Sequence, residues 1–448
     1  MLTAAIHTAS DGDAATLSKI EKRSPPMEVV EGDMCTQTNK IQKNRKKVNG
    51  QGFVGSARDL YHHSRAKAFD RIVGRDSKKC EIPIKELQEF FEGTTAETNV
   101  PQKVLKEMGS RLPNLEEEGH MKLIDRDFTE SEVMEAYKKT KDTAPGVDGL
   151  RYQHLKQFDP GFKMLTLLYN ECKKHRKIPS HWKEAETVLL YKGGDESKPD
   201  NWRPISLMPT IYKLYSSLWN RRIRSVEKVM SACQRGFQER EGCAESIGIL
   251  KTAIDVAKGK KRSLSVAWLD LTNAFGSVPH ELIASTLEAY GFPEEIREIV
   301  KDMYNGASMR IKTSSEKSDQ IMIKSGVKQG DPISPTLFNM CLENVIRRHL
   351  DTAKGHRCIN TRVKVLAFAD DMAILAESRQ QLQEELEKLD KECEALNLIF
   401  KPAKCASLII EQGHVHSSAK IMLRDKPIRN LSNKDSYKYL GGADWYRN

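Results

Sequence analysis

The sequence predicts an α+β fold on three features. Apolar residues recur at helical spacing in the first third of the 448 residues from about residue 57 on, short apolar or alternating runs begin after about residue 150, and helices and strands then follow one another without an internal repeat. That order fits a sheet backed by helices on one face.

Residues 1 to about 52 are polar and aperiodic, with a basic cluster at Lys40, Lys43, Arg45, Lys46 and Lys47, and read as a disordered basic tail. Nuclear import, nucleic-acid contact and a plain solvated linker all fit that composition. Residues 53–128 read as a helical N-terminal extension. Leu60, Tyr61, Phe69, Ile72 and Val73 lie near helical spacing over 57–73, and a second helix around 84–92 carries Ile84, Leu87, Phe90 and Phe91. A single domain, 129–448, follows. Thr129 and Glu132 make a capping box for a helix ending near Thr140. After the turn-rich TAPGVDGL (143–150), ETVLLYKGG (186–194) has the apolar run of a buried strand, RSLSVAWLDL (262–271) is another, and MRIKT with QIMIK (309–313, 320–324) alternates as a hairpin. A helix over 280–290 is closed by Gly291, and one over 336–350 is opened by Ser334 as cap with Pro335 at its first position. VKVLAFADDMAILA (363–376) reads as two short strands around an Asp-Asp turn. Leu382, Leu386, Leu389, Cys393 and Leu396 then form one stripe of a helix.

Lysine and arginine number 72 against 62 acidic residues, a net charge of +10, the sign expected of a protein that meets a polyphosphate. No apolar run approaches the roughly 18 residues of a membrane span. The opening MLTAAIHTAS lacks the basic start and apolar core of a secretory signal, so an intracellular, reducing setting without membrane contact is expected. The nine cysteines contain no Cys-x-x-Cys pair and predict neither a disulfide framework nor a zinc knuckle. His62-His63 and His414-x-His416 lack further ligands at useful spacing, Gly193-Gly194 lacks the ending of a phosphate loop, and Lys258, Lys260, Lys261 and Arg262 read as a solvated cluster.

Two acidic positions stand in a different setting. Asp270 ends the strand SVAWLD, and Asp370-Asp371 sit between the apolar runs VKVLAFA and MAILA. Carboxylates at the ends of buried strands are costly without a cation. Magnesium prefers carboxylate oxygen and keeps positions for substrate phosphate, and two such ions about 4 Å apart suit nucleotidyl transfer.

APGVDGL (144–150), DNWRPISL (200–207), LDLTNAF (269–275), SGVKQGDPISPTLFN (325–339), FADD (368–371) and YLGG (439–442) follow one another over roughly 130–442. In that order they resemble the reverse transcriptases of non-LTR (LINE-like) retrotransposons: the leader before the fingers, the fingers signature, motifs A, B and C, and the hairpin before the thumb. The resemblance implies a right-hand polymerase fold of fingers and palm, with an antiparallel palm sheet backed by helices and the thumb largely absent. It implies an RNA-directed DNA polymerase, a nucleotidyltransferase of transposition that takes an RNA template, a DNA primer and deoxynucleoside triphosphates, with two Mg2+ ions (Mn2+ as substitute), in the nucleus. Asp270 and Asp370 would hold both ions with Asp371 alongside, and Leu271 belongs to the metal set. Phe275 would be the aromatic gate under the incoming sugar, leaving no room for a 2′-hydroxyl. Arg203 would grip the triphosphate as a fork and Lys192 add a point charge. Gly326 and Gly330 would let backbone approach template and nucleotide, Gln329 would bond near the sugar or templating base, and Lys404, with Lys401 as competitor, would protonate the leaving pyrophosphate.

Within the family the site-specific clade with a restriction-like endonuclease is the nearest in pattern. The long spacer from Asp270 to Gly326 and the APGVDGL leader set the chain apart from group II intron and retroviral enzymes. A second reading, an inactive remnant that only binds nucleic acid, is motivated by a sequence that stops six positions after YLGG.

Overall fold

A computed structural model describes residues 79–440, apart from 117, 118, 120, 142, 436 and 438. The basic tail, the expected helix at 57–73, His62-His63, Cys35 and the last two residues of YLGG lie outside the described residues. The chain divides into two compact units, one comprising 82–189 with 204 onward and the other including 190–203.

Helices α1 (Ile84–Thr94), α2 (Gln102–Gly109), α3 (Met121–Ile124), α4 (Glu130–Lys138), α5 (Tyr152–Phe158) and α6 (Lys163–His175) open the described chain. Helix α1 buries Leu87 and Phe91 on one stripe. Just past its end the Thr95 carbonyl accepts from both Lys324 N (3.0 Å) and Ser325 N (3.2 Å). The capping box before α4 forms as expected, Thr129 Oγ1 accepting from Glu132 N at 3.2 Å and Glu132 Oε2 from Thr129 N at 3.0 Å, and the helix stops slightly short of Thr140.

Strands β1 (Glu184–Tyr191) and β2 (Trp202–Leu207) precede α7 (Thr210–Ser225) and α8 (Gly242–Gly259). Then come β3 (Leu264–Leu269), the single turn α9 (Ala274–Ser277), α10 (His280–Ala289), α11 (Glu294–Tyr304), β4 (Ser308–Lys312), β5 (Ile321–Met322) and α12 (Ser334–Thr352). β6 (His356–Cys358), β7 (Thr361–Val363), β8 (Val365–Phe368), β9 (Asp371–Ala376), α13 (Arg379–Ala395), β10 (Ala406–Glu411), β11 (His414–Val415), β12 (Met422–Leu423), β13 (Lys426–Pro427) and β14 (Arg429–Asn430) complete the order.

The 186–194 run forms a strand, but not a buried one: Leu190 is 50% exposed because β1 lies in a small sheet, β2-β1-β4-β5, and runs out beyond its neighbour β4. β4 and β5 pair as the expected hairpin. Ser334 does not cap α12. It lies within the helix, buried against the Tyr304 hydroxyl at 3.3 Å, and Ile333 stands at the cap position. The Ile333 N–H donates instead to Ser216 Oγ at 3.2 Å and to the buried Asp331 at 3.4 Å, which accepts as a carboxylate does at the positive end of a helix.

The main sheet has the order β11-β10-β3-β9-β8, antiparallel throughout, with β14 parallel beside β10. Helices cover both of its faces, not the single face that the element order predicts. Leu264, Val266 and Trp268 of β3, Ala373 and Leu375 of β9, and Leu408 and Ile410 of β10 pack on Leu250, Ala253, Ile254 and Ala257 of α8. The alternate residues of β3 and β9 turn toward α13, which buries Leu382, Leu386, Leu389 and Cys393. All six residues of β3 are buried, and its lack of polar alternation is the signature of a strand covered on both sides. Among the described residues no helix is long and apolar enough to cross a membrane.

One consequence for stability is measurable. His349 of α12 is 4% exposed, and its burial, with Lys364 and Lys388 nearby, pushes it down to about 4. The unfolded chain then binds a proton near pH 6.5 that the folded chain refuses until about pH 4, so stability falls as pH drops through that window, by up to about 3 kcal/mol for this group. Urea melts at pH 7 and pH 5 should show the loss, and His349→Gln should flatten it; an unchanged slope in that variant would discount His349.

Candidate active site

β3 delivers Asp270 to the point where its pairing with β9 ends. Leu269 pairs with Met372, so one further step sets Asp270 opposite Asp371. Phe368 pairs with Asp371 across the neighbouring hairpin, so only Ala369 and Asp370 form the β8–β9 turn, with Ala369 at the left-handed φ of 54°. Buried apolar strands thus hold Asp270, Asp370 and Asp371 at one end of the sheet. The Asp270 backbone is pinned by Lys401 N, which donates to its carbonyl at 2.9 Å, and by its own N–H donating to Cys405 Sγ at 3.4 Å.

Asp270 Oδ2 is buried without a hydrogen-bond partner, and Lys404 Nζ stands 3.5 Å from it. The Asp371 carboxyl is pushed up to about 6, first by desolvation, then by Asp370 and Asp270, with Lys404 pulling the other way. Three mutually repelling carboxylates, one with an oxygen that has no hydrogen bond and faces only the Lys404 ammonium, fit a divalent cation. Among the described residues no group of three or more His, Cys, Asp or Glu closes around a metal position. The aspartates offer an open, oxygen-only donor set, the kind that leaves positions for substrate phosphate.

Phe275 lies in α9, its ring stacked on Phe338 of α12 (4.6 Å between centroids, 13°) and edge-on to Phe237 (6.2 Å, 81°). Its carbonyl accepts from Val327 N at 2.7 Å. A Cβ on Gly326 would meet the Gly276 carbonyl oxygen at 2.6 Å, and one on Gly330 would meet that of Ser206 at 2.5 Å, so both glycines mark close backbone approach at positive φ. The Gln329 carbonyl accepts from Ser206 N at 2.7 Å. Of the two competing lysines, Lys404 brings its ammonium to Asp270, while Lys401 contributes its backbone N–H.

Lys192 and Arg203 belong to the 190–203 unit. Lys192 N donates to Asn201 O at 2.8 Å and its Nζ to Asp200 O at 3.0 Å, closing the hairpin that the spacing allowed, and Arg203 is exposed. His414 and His416 sit on and beside the short strand β11, where His416 faces Glu411 at 3.7 Å. The 258–262 cluster ends α8 with Lys260, Lys261 and Arg262 exposed.

Residues 192–443, more than half of the chain, match the family described as reverse transcriptase (RNA-dependent DNA polymerase). The chain belongs to the reverse transcriptase family. This reverse transcriptase is 29% identical over 330 residues to the retrovirus-related Pol polyprotein from type-1 retrotransposable element R2 of Nasonia vitripennis, covering 72% of this chain and 32% of that protein. The corresponding R2 polyprotein of Bradysia coprophila is 24% identical over 440 residues, 95% of this chain and 48% of its own length. The RNA-directed DNA polymerase from mobile element jockey of Drosophila melanogaster is 26% identical over 310 residues, 66% of this chain and 33% of its own. The chain spans roughly a third to a half of the length of these curated relatives. The family reading drawn from the motifs, a non-LTR reverse transcriptase with an α+β fold, is thereby borne out.

Reading the sequence missed the segment Cys233–Phe237 of this reverse transcriptase. It lies along β8, with Arg235 N donating to Ala367 O (2.8 Å) and Ala367 N to Cys233 O (3.0 Å). Its contacts, through both backbone and side chains, run mostly to residues distant in sequence, so no periodicity announces them. The one available signal was Gly236, an isolated glycine outside any periodic run. Tyr439 was seen only as part of YLGG, yet it is buried in the same cluster as Trp268.

Proposed function

We propose that this chain is the polymerase portion of a non-LTR retrotransposon protein, extending a DNA primer on an RNA template with deoxynucleoside triphosphates. The observation that carries the reading is the meeting of Asp270 with Asp370 and Asp371 at one sheet end, where a carboxylate oxygen without a hydrogen bond faces only the Lys404 ammonium and the Asp371 carboxyl is raised by desolvation and by its acidic neighbours. A reverse transcriptase acts on a nucleic-acid template and primer with nucleotide substrates and uses divalent metal.

In this proposal Asp270 and Asp370 hold two Mg2+ ions, which Mn2+ can replace, Asp371 stands alongside, and Leu271, apolar and buried, contributes only its backbone carbonyl. The ions supply activation of the primer hydroxyl and neutralisation of charge on the leaving pyrophosphate. Lys404, already beside Asp270, donates a proton to that pyrophosphate. Arg203 and Lys192 bind the triphosphate, an assignment supported by their place in the fingers signature and the segment before it. Gln329 and Gly330 line the nucleotide on the motif B side. The Phe275 ring, backed by the buried Phe338, is a fixed wall against a 2′-hydroxyl. Nuclear residence and membership of the clade with a restriction-like endonuclease are part of the same proposal; a coding frame running on past Asn448 into a nuclease would support the latter. No feature of the described site favours the inert-remnant reading.

Primer extension tests the proposal directly. The purified chain with an RNA template, a DNA primer, deoxynucleotides and Mg2+ should incorporate nucleotides and stop on chelation, and a folded chain that incorporates none on RNA or DNA templates would sink the assignment. Phe275→Ala should lower the preference for deoxynucleotides over ribonucleotides by about 100-fold. A variant that still excludes ribonucleotides as wild type does would remove Phe275 from sugar selection.

A further inference from the structure

Gln234, Gly236 and Phe237 touch two parts of the site, the Asp370 turn and the Phe275 ring. Gln234 is 1% exposed, and its Oε1 accepts from Ala369 N at 2.9 Å and from Gly236 N at 3.0 Å. Ala369 is the left-handed residue of the Asp370 turn, a conformation an L-residue holds only against a steric cost. Gln234 Nε2 is buried without a partner, so the amide grips the turn by its acceptor alone. A Cβ on Gly236 would come within 2.3 Å of Ala369 N, so the segment lies directly on the turn. The fully buried Asn339 clamps it from α12, donating to Gly236 O at 2.8 Å.

One residue further on, Phe237 is itself left-handed, at φ 58°, 46% exposed, and edge-on to the Phe275 ring. The other face contact of Phe275 is Phe338, next in sequence to Asn339. Three residues of this segment and two neighbouring residues of α12 therefore hold both the aspartate turn and the aromatic wall.

We propose that Cys233–Phe237 is a positioning strap of the polymerase site, in which Gln234 sets the carboxylates of the Asp370 turn for divalent cations and Phe237 sets the sugar selection of Phe275. The proposal rests on the polymerase reading for the second role only. Cation binding follows from the geometry of the turn whether or not the chain synthesises DNA.

Two measurements on the whole chain test it. Calorimetric titration with Mn2+ alone should show Gln234→Ala binding about 10-fold more weakly than wild type, the size of loss expected when a group orienting a metal-holding residue is removed. Gln234→Glu, which keeps the acceptor oxygen, should stay closer to wild type. Melting temperatures recorded beside each titration separate this from misfolding: unchanged Mn2+ affinity in a folded Gln234→Ala chain, or identical losses in the alanine and glutamate variants, overturns the role of Gln234. In primer extension, Phe237→Ala should cost deoxynucleotide turnover no more than about threefold while lowering discrimination against ribonucleotides about 10-fold, the scale of one lost aromatic edge contact. Equal discrimination in Phe237→Ala and wild type overturns the role of Phe237. A wild-type chain that binds Mn2+ but synthesises nothing overturns the polymerase reading and the sugar-selection role while leaving Gln234 to be judged on the calorimetry.

Discussion

Asp370→Ala is expected to cut deoxynucleotide incorporation by at least about 1000-fold, roughly 4 kcal/mol of barrier. The size follows from the donor set. Asp370 occupies one of the two turn positions between β8 and β9, and no other carboxylate stands in the turn to replace it. Asp270→Ala should do the same. Asp371→Asn supplies the control that separates lost chemistry from lost structure. The Asp371 carboxyl is raised to about 6 in the fold, so at pH 7 its ionised form is less welcome in the folded chain than in the unfolded one, and stability rises as pH falls through that value. A neutral asparagine removes the penalty. The variant should therefore be impaired in synthesis yet melt no lower than wild type at pH 7 without divalent ions. Full activity in Asp370→Ala would remove the turn from the mechanism, and a lower melting temperature in Asp371→Asn would mean that the repulsion has been misjudged.

Asp331→Ala is expected to lower folding stability by about 3–5 kcal/mol, the range for breaking a buried ion pair from one side. Its carboxylate accepts from the Tyr212 hydroxyl at 2.6 Å and from the Ser216 hydroxyl, and faces Lys328 Nζ at 3.8 Å, both charges being fully buried. Lys328 lies over the Tyr212 and Tyr304 rings at 4.7 and 5.1 Å and donates to Met303 O and to Tyr212 Oη, each at 3.2 Å. Desolvation already pushes this lysine down to about 8 even with Asp331 holding it up. Without the aspartate, the fold must bury an unpaired ammonium or discharge it. Gln329 and Gly330 lie between the two charges, so synthesis should fall with stability. Lys328→Met combined with Asp331→Leu should recover part of the stability in urea melts, because an apolar pair leaves no charge unpaired, while the Tyr212 and Ser216 hydroxyls still lose their acceptor. A single-site cost below about 1 kcal/mol would show that the pair does not hold this loop.

What the sequence disclosed depended on how each residue acts. Asp270 and Asp370-Asp371 were legible because apolar runs abut them, and a charge at the end of a buried run has few bland explanations. The α4 capping box and the α13 stripe were legible because both are local patterns. Ser334 misled because a serine before Pro335 satisfies the capping rule, while the groups that take the Ile333 N–H are Ser216, distant in sequence, and Asp331, two residues before it. The covering of both sheet faces was implicit in the unbroken apolar SVAWL, but the helix on the second face, α8, comes from earlier in the chain. Lys401 and Lys404 could not be separated by spacing; the short turn Pro402–Lys404 decides which ammonium reaches Asp270. Gln234 was invisible because its partner is a backbone N–H more than a hundred residues away.

The two amides that Thr95 receives give the upstream helices a consequence for modularity. Lys324 and Ser325 lead straight into Gly326, so the backbone entering the Gly326–Gly330 loop is tied to the end of α1. A boundary drawn at residue 129, where the recognisable motifs begin, would sever that tie. The segment that supports this site then includes the end of α1, and any shuffling of such elements that joined a new leader downstream of Thr95 would exchange part of the site's own support.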